Sequence, residues 1–112
     1  MFAFRVLLVA IVATVLVYTG IVIAAEGFGF MAVFFGDILA MKWPGQFNLD
    51  FSCLLLLSGL WVAWRHQFSL RGLGLGLAAL LAGSPFLSVY LLVASLRAKG
   101  DMKVLLLGPA RA

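Results

Sequence analysis

Long apolar runs separated by brief charged punctuation dominate this chain. Twenty uncharged residues, Val6 to Ala25, lie between Arg5 and Glu26, and two further charge-free runs follow, Phe51 to Trp64 and Gly72 to Leu96. A bilayer's hydrocarbon core is about 30 Å thick and takes about 20 helical residues to cross. With no water at that depth, each crossing segment must satisfy its own backbone hydrogen bonds. The pattern therefore predicts an all-α integral membrane protein, a single membrane domain over residues 1–112. Its three transmembrane helices are expected at about 4–25, 48–65 and 72–97, with a surface tail over 98–112. Between the first two, residues 30–42 are apolar enough to enter lipid and too short to cross it, which predicts an interfacial or re-entrant helix. The first run is longer than the roughly 7–15 apolar residues of a secretory signal, so it is expected to be a retained helix.

The second run carries the most chemical information. Only fourteen uncharged residues separate Asp50 from Arg65, which is about 21 Å of helix. Arg65 can snorkel to its boundary, and counting about 20 residues back puts the opposite boundary near Gly45. Asp50 is then expected roughly 7 Å beneath that surface. A tight hairpin about the 65–71 loop aligns position 50 with position 86, near Ser84, Ser88 and Tyr90. Asp50, Ser88 and Tyr90 are therefore the candidate ligand-binding residues. The competing assignment makes Asn48 the N-cap of this helix and Asp50 its second residue, where the helix dipole favours an acid.

In the third run, Gly72, Gly76, Ala79 and Gly83 recur at spacings of four, three and four, a small-residue face suited to close helix contact. Pro85 predicts a kink near mid-helix. Phe34, Phe35, Trp43 and Phe47 are expected at the headgroup boundary, with Trp43-Pro44-Gly45 as a turn.

Composition narrows the function classes. The chain is 65% hydrophobic and 11% charged, against about a quarter charged in soluble domains. The net charge of +4 sits at the ends of apolar runs, which fits anionic lipid and not nucleic acid. A lone cysteine, Cys53, excludes an internal disulfide, and a lone histidine, His66, excludes a cluster of imidazole ligands. The glycines from Gly72 to Gly76 lack the preceding strand and following lysine of a phosphate loop. Glu26 and Asp37 sit at interfacial positions, and Arg97 and Lys99 suit phosphate headgroups. No nucleophile has a base and no metal set is present, so neither an enzyme nor a resident cofactor is expected, beyond contact with pigment, quinone or lipid. Counting basic residues leaves orientation open, with three on the N-terminal side and five on the other. The local asymmetry, Arg5 before and Glu26 after the first helix, favours a cytoplasmic N-terminus.

Leu49-Asp50-Phe51, Trp64-Arg65, Gly83, Pro85-Phe86 and Tyr90-Leu91-Leu92 leading to Arg97 cover about half the chain. Together they resemble an uncharacterised family of small bacterial multi-helix membrane proteins, a domain of unknown function. The resemblance implies that Asp50 and Pro85 belong to a common architecture, and it implies no reaction. Two functions are expected from the residues themselves. The first is a non-catalytic subunit that packs through its small-residue face and aromatic loop against a larger membrane complex, bioenergetic or pigment-containing. The alternative is a binder or carrier of a lipid-like or quinone-like molecule, as a monomer or homo-oligomer.

Overall fold

A computed structural model describes Met1–Ala112 and contains six helices and no strands. They are α1 (Phe2–Glu26), α2 (Phe30–Ala40), α3 (Trp43–Arg65), α4 (Leu70–Ala82), α5 (Ser84–Arg97) and α6 (Met102–Leu107). Two of them, α1 and α3, are long and apolar enough to cross a bilayer.

The expected second helix over 48–65 begins five residues earlier, at Trp43. Pro44 occupies the first turn, where its missing N–H needs no intrahelical partner, so Trp43-Pro44-Gly45 starts the helix and is not a turn. Asn48 is accordingly not a cap; its side-chain amide donates to the Phe34 carbonyl at 3.2 Å. Together with Gly45, which lies against the Asp37–Ile38 backbone, this contact sets α2 antiparallel along the first turns of α3. Of the expected boundary aromatics, Phe35, Trp43 and Phe47 are exposed, and Phe34 is half-buried.

The expected continuous helix over 72–97 is broken. Gly83 separates α4 from α5 at φ 71°, ψ −146°, a conformation essentially confined to glycine. Gly83 faces Phe51 and Leu55 of α3, whereas Tyr90, seven residues on, reaches Arg65 and His66. The chain has therefore reversed direction: α4 runs antiparallel to α3, and α5 returns parallel to it. Pro85 does not kink a long helix; it sits in the first turn of α5, as Pro44 does in α3.

The small-residue face forms the expected contact seam, and its partner is α3 of the same chain. Gly72, Gly76, Ala79 and Gly83 are all buried. A methyl group on Gly76 would lie 2.6 Å from the Gly59 carbonyl oxygen, and one on Gly59 would lie 2.7 Å from that of Gly76. On the other side of the hairpin, α5 packs on α1. Leu8 is buried, and Phe4, Ile11, Val12 and Val15 are half-buried on one stripe of α1. Beyond Leu16 that helix is exposed almost all round, because α5 spans only about 21 Å and α1 about 37 Å.

The tail is docked. Leu105 of α6 is buried with Ala94 and Ala98 of the α5 end, and Met1 and Phe4 pack on the same cluster. Both termini and the turn between α3 and α4 therefore share one end of a molecule 44 Å long. Seven of the eight basic residues lie at that end: Arg5, Arg65, Arg71, Arg97, Lys99, Lys103 and Arg111. Glu26 and Asp37 mark the opposite end.

Candidate functional site

Arg65 organises the basic end. It closes α3 and is only 7% exposed, so each donor must find a partner. Its Nε donates to the Leu105 carbonyl at 2.7 Å and its Nη2 to the Val104 carbonyl at 3.3 Å. Trp61 adds an Nε1 donation to the Leu106 carbonyl at 3.1 Å. These are final-turn carbonyls of α6 at the negative end of the helix dipole; the Val104 carbonyl also accepts from the Gly108 N–H at 2.9 Å. Gly108 then lies directly against the Arg65 backbone, and Arg111 donates to the Trp64 carbonyl while stacking on the Trp64 ring.

The third Arg65 donor, Nη1, reaches the Tyr90 hydroxyl at 3.0 Å, and that hydroxyl is 2.6 Å from His66 Nε2. The Tyr90 oxygen accepts from Arg65 and shares a second hydrogen bond with His66 Nε2, whose direction is set by the tautomer of the ring. The imidazole lies one residue beyond α3, and its pKa falls below 6.5 through partial burial first and the charges of Arg65 and Arg71 second. Both effects favour the neutral ring.

Behind this cluster lies a cleft of about 420 Å³ between the two arms of the α4–α5 hairpin, the end of α3 and the tail. Arg71 enters from the start of α4 and Arg97 from the end of α5, so the reversal at Gly83 brings together two cations 26 positions apart. The wall is apolar, formed by Leu75, Phe86, Val89 and Val93, with Val104 and Pro109 of the tail over it. No acidic residue lines the cleft. Such a volume, apolar walls and a few convergent polar groups are the usual features of a small-molecule site.

The expected Asp50–Ser88–Tyr90 site is not assembled. Asp50 is exposed on α3, Ser88 is buried, and Tyr90 lies at the other end of α3 with Arg65 and His66. The alignment of position 50 with position 86 fails because it assumed one unbroken helix. Nor is Asp50 a helix-start residue, since α3 begins seven residues before it. His66, half-buried, joins Tyr90 beside Arg65. Glu26 and Asp37 come together with Asn48 and Phe34 around a second cleft of about 480 Å³ at the opposite end.

Sequence reasoning missed Arg71 with Arg97, and the role of the tail. A signal was present: Ala82-Gly83-Ser84-Pro85 joins a glycine to a proline-started helix, which fits a helix stop and restart as well as a kink. No family model, curated protein or solved structure matches the chain.

Proposed function

We propose that the chain is a small, non-catalytic, multi-pass membrane protein that binds a lipid-like molecule in the cleft at its basic end. The observation that supports this most is the pairing of an apolar wall with cations in one cleft. An amphiphile needs both, and a purely structural helix end needs neither. In the proposed arrangement α1 and α3 cross the bilayer, and the α4–α5 hairpin enters from one side and returns to it. The seven-to-one separation of basic residues supports a cytoplasmic location for that end, with both termini there, as in a bacterial inner membrane.

The test is native mass spectrometry of the full chain purified in mild detergent. The chain is expected to carry a lipid-like molecule, and Val93→Trp, which fills the cleft, is expected to release it. A wild-type chain that carries none would end this reading.

One observation favours the subunit role as a second reading. Asp50 is exposed two turns inside α3, and a carboxylate at that depth is costly unless it faces protein or water. A partner helix with a donor would satisfy it. The small-residue seam does not serve that role, because it is occupied by α3. If Asp50→Leu leaves the size of the assembly in mild detergent unchanged, the subunit role loses its support.

A further inference from the structure

We infer that the cleft recognises a phosphate-class anion, held by Arg71 and Arg97 while the apolar wall takes the chain attached to it. This rests on the reading above that the cleft holds an amphiphile, and it adds the chemistry of the head.

The division of labour among the arginines carries the inference. The guanidinium hydrogen bonds made within the chain belong to Arg5, Arg65 and Arg111. Arg5 is tied to the Ser95 hydroxyl and carbonyl at 3.1 Å each, and Arg111 is tied to Trp64. Arg65 lines the cleft, but three of its N–H groups are taken by Leu105, Val104 and Tyr90. Arg71 and Arg97 remain: both are exposed, both line the same cleft, and their donors are unused.

Three guanidinium groups around one cleft without a carboxylate repel each other, so the site is electrostatically incomplete. His66 adds no negative charge to offset them. The Asp101 carboxylate is engaged in capping α6, accepting from Lys103 N at 2.9 Å and Val104 N at 3.4 Å. An anion restores the balance. A phosphate fits better than a carboxylate headgroup because it offers several acceptor oxygens to two planar, forked donors approaching from different helices. The wall of Leu75, Phe86 and Val93 favours an anion with an apolar chain. Basic pockets of this type between membrane helices take anionic lipid headgroups at the cytoplasmic surface. A free phosphate would satisfy the same two arginines, so the source is decided by experiment.

The full chain is reconstituted into nanodiscs or mild detergent and offered phosphatidylglycerol, diacylglycerol (the same chains without the phosphate) or inorganic phosphate, with bound lipid read by native mass spectrometry. Wild type is expected to retain phosphatidylglycerol about tenfold over diacylglycerol, the factor that roughly 1.4 kcal/mol supplies. The Arg71→Gln and Arg97→Gln double variant is expected to hold both lipids equally. It should fold normally, since neither side chain is bonded within the chain, and an unchanged melting temperature checks this. Lys99→Gln removes an exposed charge outside the cleft and should keep the preference.

Competition by inorganic phosphate would keep the phosphate assignment and make the source soluble. Equal retention of the two lipids by wild type overturns the inference and leaves the amphiphile reading standing. Loss of preference in Lys99→Gln as large as in the double variant also overturns it, because bulk surface charge would then be the cause. Retention of no lipid by wild type overturns both.

Discussion

Gly59 and Gly76 meet backbone to backbone, each facing the other's carbonyl oxygen, and the contact has no flexible side chain that can yield. Gly76→Ala is therefore expected to destabilise the protein by about 1–3 kcal/mol, the usual range for overpacking. Gly74→Ala is the internal control, since an added methyl there meets nothing within 4 Å; it should be neutral or slightly stabilising. Denaturation of the two variants in detergent checks the pair. If both variants melt alike, the close contact does not hold. At the same scale, His66 gives the fold a pH dependence. Its pKa in the folded chain lies below the unfolded value of 6.5, so the unfolded chain binds more protons in the interval between them. Stability is then complete above about pH 6.5 and declines as pH falls toward the folded pKa. Melting temperature measured from pH 8 to 5 should fall on the acid side, and His66→Gln should flatten that part of the curve.

Among the elements, the reversal at Gly83 has the largest consequence. A continuous helix from 72 to 97 would put residues 67 and 99 on opposite sides of a membrane, whereas the hairpin puts them on the same side. Both positions are exposed. In a Cys53→Ala background, Gln67→Cys and Lys99→Cys are expected to react with a membrane-impermeant maleimide from the same side of sealed vesicles. Labelling from opposite sides would restore the unbroken helix. The tail is the other element whose role depends on context. Six residues of α6 would not form a stable helix alone in water. Three conditions hold it: the Asp101 cap, the burial of Leu105, and the donations of Trp61 and Arg65 to its last carbonyls.

For the whole molecule, the fold acts as a charge sorter. Along the chain, basic residues are dispersed and the sidedness count is three against five; after α5 folds back, the count is seven against one. If the basic end is cytoplasmic, a fluorescent protein that matures only in the cytoplasm will fluoresce when fused at either terminus. An exported enzyme fused after Ala40, at the acidic end, will be active outside. Dark fusions at both termini would reverse the assignment.

Hydropathy alone made the helical class and the two long apolar helices legible, because lipid solubility is a property of composition summed over a turn or two. The glycine seam was legible for a similar reason: small residues at helical spacing declare a close contact wherever the helix goes. Sequence spacing did not say which helix would fill that contact, nor that Gly83 would turn the chain back. A glycine before a helix-starting proline allows a kink or a reversal equally, and only the packing of α4 on α3 and of α5 on α1 selects the second. That choice separates Asp50 from Tyr90, brings Arg71 to Arg97 and folds the tail over Arg65. The candidate site thus arises from tertiary structure, since its residues come from four elements with no common period along the chain.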